Sequence, residues 1–289
     1  MITRGRTTGK RLLSAAKVLR YPPFQPAGHF YSPVTSADDI RRAKAQRAGM
    51  AELDGVDLNA AAQRELAEKL APIWVECAAA WRRYRPDNSM YGLADAAVYY
   101  SLLRQMRPRR IIEIGSGFSS ALALDVRDAD LPKLELTFVE PYPDRLHRLL
   151  NDVDLANTTL HRQPVQNVPL DIYDVLHADD VLFIDSTHVA KAGSDVNWLF
   201  FRVLPRLAVG VIVHIHDIFF PFEYQDEWLD AGRSWNESYM LRAFLTNNAS
   251  YEILLFSSWL WRDQRALVRR YLPEAAALEP GGIWLRKTA

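Results

Sequence analysis

From Arg110 onward, apolar residues fall into short runs separated by stretches with helical spacing. The runs are Ile111–Ile114, Leu134–Val139, Thr158–Leu160, Val181–Ile184, Val211–Ile215, Tyr251–Phe256 and Ile283–Leu285. Each is too short for a buried helix and reads as the near-continuous apolar strand of a parallel sheet. Helices are expected to begin near Ser119, Pro143, Val168, Val189 and Asn236, with one more around residues 262–272. The pattern predicts an α/β fold: a seven-stranded, mostly parallel sheet with helices on both faces.

Upstream the period changes. Residues 58–107 read as helices, one capped by Asp57 or Asn59 and running through Ala62, Leu66, Leu70, Trp74 and Trp81, the next from Ala94 to Met106 with Ala97, Tyr100 and Leu103 on one face. Residues 1–57, with Tyr21-Pro22-Pro23 and His29-Phe30-Tyr31-Ser32-Pro33, read as irregular. The expected division is an arm and helical extension over 1–87 and the sheet domain over 88–289.

Composition narrows the function classes. Lys+Arg and Asp+Glu both number 35, so the net charge is zero, which argues against nucleic acid as the main partner. The single cysteine, Cys77, excludes an internal disulfide framework or thiolate zinc cluster. No apolar run approaches the roughly 20 residues of a membrane span, and a cytoplasmic location is expected. The first twenty residues carry Arg4, Arg6, Lys10, Arg11, Lys17 and Arg20 and no acid. Such an arm is solvated, or meets anionic lipid, an acidic partner or a targeting receptor.

A doubly wound sheet holds ligands beyond the carboxyl ends of its strands, and polar residues gather there: Gly115-Ser-Gly117, Glu140, Asp185 with His188, and His216-Asp217. Glu113-Ile-Gly115-Ser116-Gly117-Phe-Ser119-Ser120 ends one strand and opens a helix, where glycine permits a sharp turn and free N–H groups await a ligand. Ser120 stands where a dinucleotide fingerprint has its third glycine. Glu140 ends the next strand, 25 residues past Gly115, where an acid can accept hydrogen bonds from ribose hydroxyls.

Taken in order, Ile112-Glu-Ile-Gly-Ser-Gly-Phe-Ser-Ser120, Val139-Glu-Pro141, Ile184-Asp-Ser-Thr-His188 and His216-Asp-Ile218 resemble a class I methyltransferase dependent on S-adenosylmethionine (SAM), which has a Rossmann-like fold. The nearest branch is that of small-molecule O-methyltransferases, including metal-dependent sugar methyltransferases. The resemblance covers residues 88–220. It implies that Glu113, Gly115, Ser116, Gly117 and Ser119 surround the methionine part of SAM, that Glu140 holds the ribose and that Gln163–Gln166, Gln166 above all, borders the adenine. Pro164-Val165 departs from the small acidic pair frequent in that family. Asn88, Tyr91 and Asp95 are placed to close over SAM, although Asn88 equally suits a helix cap.

Asp185 and Asp217 end neighbouring strands, about 4.8 Å apart, so their carboxylates can converge on Mg²⁺ or Mn²⁺, with His216 as an imidazole ligand favouring Mn²⁺. No Lys or Arg immediately follows either strand. His188 is placed as the general base for a hydroxyl acceptor. After Asp217 the aromatic stretch Phe219-Phe-Pro-Phe-Glu-Tyr224, then Trp228 and Trp235, reads as a lid over the acceptor pocket or as a contact in a homo-oligomer. The reading is a SAM-dependent O-methyltransferase acting on a small-molecule hydroxyl, of a sugar or glycosylated metabolite. Its alternatives are an NAD(P)-dependent oxidoreductase and a non-catalytic SAM-binding scaffold.

Overall fold

Every apolar run forms its strand. In the structure, a computed structural model describing residues 22–49 and 53–289, the strands are β1 (Arg110–Ile114), β2 (Glu135–Val139), β3 (Thr159–His161), β4 (Val181–Ile184), β5 (Ile212–His216), β6 (Tyr251–Phe256) and β7 (Gly282–Lys287). Their order is β3-β2-β1-β4-β5-β7-β6. The first five are parallel neighbours, and β7 inserts antiparallel between β5 and β6. This is the Rossmann-like, mostly parallel seven-stranded sheet that the periodicity predicts.

Side-chain alternation divides the core between the two faces. Ile111 and Phe183 enter a cluster with Trp74, Leu103 and Leu124, while Ile112, Leu182 and Ile184 join Val203 and Leu241. Central β4 is buried over its whole length, which explains why it contains no polar residue.

Five helices matter below: α1 (Ala37–Gly49), α2 (Ala60–Trp74), α3 (Leu93–Met106), α4 (Phe118–Ala129) and α5 (Glu237–Leu245). α4 opens directly from the β1 turn, as expected. α2 ends at Trp74, with Pro72 in its last turn, rather than running on to Trp81; its Trp74 Nε1 donates to Ser101 Oγ of α3 over 3.1 Å. α1 lies where irregular chain was expected. Its sequence has no apolar stripe, but Ser36 and Asp39 exchange side-chain-to-backbone hydrogen bonds in a capping box. The helix expected at Val168 is replaced by 3-10 turns at Val165–Asn167 and Leu170–Val175, introduced by Pro164 and Pro169. The helix expected at Val189 starts at Asp195, capped by Ser194 Oγ.

The described residues divide into two units, 22–49 with Asp226–Ser234, and 53–225 with Trp235–Ala289. In the first, Lys44 pairs with Asp230 at 2.7 Å and Arg47 pairs with Asp226. The helices of residues 60–106 fall in the second unit with the sheet. The basic residues Arg4 to Arg20 and Tyr21 lie outside the described residues. No helix among the described residues is long and apolar enough to cross a membrane.

Candidate functional site

The strand order reverses between β1 and β4, whose carboxyl ends therefore border an open crevice. Gly115 turns there with φ 84°, and a Cβ on it would sit 1.8 Å from the Asp185 carbonyl oxygen. Because that obstacle is backbone, position 115 admits glycine alone. Beneath the turn, the fully buried Glu113 accepts a hydrogen bond from Ser119 Oγ, while its Oε2 has no partner. Burial pushes the Glu113 carboxyl up to about 8, against the hydrogen bonds of Ser119 and Ser120 that lower it. Glu140, at the end of β2, accepts from the backbone N–H of Ser116 (3.1 Å) and Tyr142 (2.8 Å), which aims its carboxylate across the turn.

A cavity of about 400 Å³ opens at this end, its wall including Gly115, Glu140, Tyr142, Gln166, Asp185 and Ser194. Of the residues expected around the cofactor, Gly115, Glu140 and Gln166 line it. Glu113 and Ser119 lie buried beneath it, as does Ser116, whose Oγ is unpartnered. Gly117 faces the Arg145 side chain. Tyr91 does not line the cavity: its ring is 3% exposed and packs in the core against Tyr84, Tyr99, Phe183 and His216. Asn88 accepts from the backbone N–H of Met90 and Tyr91 in the turn before α3, whose N-cap is Gly92, so it is not that helix's cap. Asp95 Oδ1 accepts from Gly281 N at 2.8 Å.

Asp185 also belongs to a second arrangement. One ligand atom from each of Asp185, His188 and Asp217 lies within 4.8 Å of the other two, a geometry that fits a metal ion. His188 Nε2 is 3.3 Å from Asp185 Oδ1 and 3.5 Å from Asp217 Oδ2, and Nδ1 is 2.8 Å from Glu237 Oε2. His188 and Asp217 both adopt left-handed backbone, φ 60° and 57°, a conformation that costs energy and concentrates at functional sites. Burial disfavours an imidazolium at His188, yet hydrogen bonds to Asp185 and Glu237 raise its pKa well above the ordinary value. The ring expected as the general base is thus held between Glu237 on one side and Asp185 and Asp217 on the other.

His216, expected as the imidazole ligand, stands outside the trio. Its Nε2 is 3.5 Å from Asp217 Oδ1, and its ring is buried beside Tyr91. Burial opposes its charge, but Asp217, Asp185 and Asp95 raise its pKa. The trio whose ligand atoms converge therefore contains His188 and not His216. The aromatic stretch is packed inward: Phe219, Phe220, Phe222 and Tyr224 are all under 9% exposed, and Phe220 and Phe222 pack on Phe256. Trp235 lies against the His188 ring, tilted by 37° with centroids 4.4 Å apart. The sequence reading missed Tyr142, Lys191 and Ser194 in the cavity wall, and it missed Glu237. An acid opening a helix reads as a partner of the helix dipole, and nothing in the sequence tells that this one is wholly buried.

Residues 112–218 match the family model described as a methyltransferase domain. An uncharacterized protein of Archaeoglobus fulgidus is 33% identical over 168 residues, covering 52% of this chain and 73% of that protein. Among solved structures, SAH-bound PaMTH1 of Podospora anserina superposes with TM-score 0.47 at 16% identity, covering 88% of this chain and 97% of that one. The O-methyltransferase TomG of Streptomyces achromogenes, in complex with SAM, does so at 0.45 and 15%, covering 86% and 96%.

Proposed function

The chain belongs to the class I methyltransferase family, and from that premise we propose that it transfers the methyl group of SAM to a hydroxyl of a small molecule, a sugar or glycosylated metabolite. The observation that carries this reading is that Asp185 is common to the cavity at the glycine turn and to the Asp185–His188–Asp217 cluster. Donor and acceptor sites would then meet at one residue. The acceptor oxygen attacks the sulfonium methyl, a C–O bond forms as the C–S bond breaks, the electron pair stays on sulfur and the hydroxyl proton is released. The β1 turn and Glu140 orient the donor, and orientation is worth several kcal/mol of barrier.

Asp185, His188 and Asp217 would hold a divalent cation, which would anchor the acceptor hydroxyl and lower its pKa. Two carboxylates suit Mg²⁺ or Mn²⁺, and the imidazole tilts the set toward Mn²⁺. With Nδ1 engaged by Glu237, Nε2 of His188 either ligates or takes a proton. Its place between two carboxylates favours ligation.

The test is calorimetric titration with SAM and with NAD, together with labelled-methyl transfer to a panel of hydroxylated metabolites. SAM should bind, and Glu140→Ala should weaken it about 10–100-fold, the loss of charge-assisted hydrogen bonds. Chelator should stop transfer while leaving SAM affinity within a few-fold. Binding of NAD in place of SAM, or full transfer in chelator, would refute the donor or the cation respectively.

A further inference from the structure

Glu237 is wholly buried on α5, distant in sequence from every strand end that forms the cation cluster. It is nevertheless part of a bracket around His188. The backbone N–H groups of Asn236 and Glu237 both donate to the His188 carbonyl, at 3.1 and 3.2 Å. The Asn236 amide accepts from Ala190 N at 2.6 Å and donates to Ala190 O at 3.1 Å, securing the same loop. Trp235 lies against the imidazole ring, and Glu237 Oε2 takes Nδ1 at 2.8 Å. Backbone, ring and ring edge are thus all held by three consecutive residues, Trp235–Glu237, where the chain enters α5. A carboxylate accepting from Nδ1–H leaves the Nε2 lone pair as the ring's only ligating position, and that atom faces Asp185 and Asp217.

Resting on the cation reading above, we propose that Glu237 is a positioning residue that sets the cation affinity of the site by holding His188 with Nε2 turned to the ligand cluster. Glu237 does not line the cavity at the glycine turn. It acts through His188, and its removal frees the ring to rotate and to exchange tautomers.

The full chain is titrated with Mn²⁺ alone, free ion being counted by its paramagnetic resonance signal, for wild type, Glu237→Gln, His188→Ala and the double variant. Glu237→Gln keeps shape and one acceptor but not the charge, so the fold should survive, which unchanged SAM affinity would verify. Mn²⁺ affinity should fall about 10–100-fold in Glu237→Gln, the usual cost of losing an outer partner of a ligating histidine. In the His188→Ala background the same substitution should have no further effect. Affinity within two-fold of wild type in Glu237→Gln overturns the proposal, as does an equal loss with and without His188. A wild-type chain that binds no Mn²⁺ at all removes the cation reading itself, a result distinguishable from the other two.

Discussion

Two acidic clusters in the sheet unit solve the same electrostatic problem differently. In one, Arg83 is shared by Asp125 (2.9 Å), Asp128 (2.6 Å) and Asp154 (2.6 Å). Asp125 also accepts the N–H groups of Arg82, Arg83 and Tyr84, tying that turn to α4. In the other, Asp185 and Asp217 share a histidine whose charge depends on its proton. A guanidinium cannot be titrated away or displaced under ordinary conditions, so the first cluster is permanent structure. An imidazole can give up its proton and turn the same nitrogen to a metal, so the second is exchangeable. Proximity of acids does not separate structure from function; the kind of cation between them does.

The largest effect should come from the permanent cluster. Arg83→Ala leaves the buried Asp125 without its counter-ion and Asp154 with Arg127 alone at 3.9 Å, and should cost about 3–5 kcal/mol of unfolding free energy, read by urea denaturation. A loss under 1 kcal/mol would mean that the backbone donors satisfy Asp125 unaided.

A smaller, pH-dependent effect is expected at Glu113, whose carboxyl rises from 4.5 to about 8 on burial. Its neighbours are Ser119, Ser120, Asp185 and Glu140. Between those values the folded state keeps a proton that the unfolded state has lost, so this contribution is complete below 4.5 and disappears as pH rises through about 8. The difference in unfolding free energy between wild type and Glu113→Gln, without ligand, should therefore move in favour of the variant as pH increases. A difference that stays flat from pH 5 to 8.5 would show that Glu113 is ionised in the fold.

The smallest effect belongs to the exchangeable cluster. Asn keeps the shape of Asp217 and tolerates its left-handed backbone, so Asp217→Asn should shift metal-free stability by less than about 1 kcal/mol. Mn²⁺ should raise the Tm of wild type by mass action and fail to raise that of the variant. Undiminished Mn²⁺ stabilisation in the variant would take Asp217 out of the ligand set.

Much of this was legible in the sequence because strand ends are. Once Ile111–Ile114, Val181–Ile184 and Val211–Ile215 read as parallel strands, Gly115, Asp185 and Asp217 had to gather at one edge. What stayed hidden depends on contacts across long sequence separation. Tyr91 looked available to a cofactor, but α3 folds it against Phe183 of β4. Weighing His188 against His216 required knowing that α5 returns Glu237 to His188, 49 residues away. The length of the aromatic stretch suggested a lid, whereas its burial against Phe256 could come only from the position of β6 in the sheet.

The main-chain contact behind Gly115 has a consequence for how such a site can diversify. Because the Asp185 carbonyl leaves no room for even a methyl group, the gap between the ends of β1 and β4 works as a fixed gauge that no choice of rotamer can widen. Substitutions in the cavity wall, at Tyr142, Gln166 or Lys191 for example, would change how a bound molecule is gripped without altering that gauge. The shape of the cavity wall and the spacing of the two strand ends are thereby carried by separate parts of the chain, and the first is free to drift while the second stays constant.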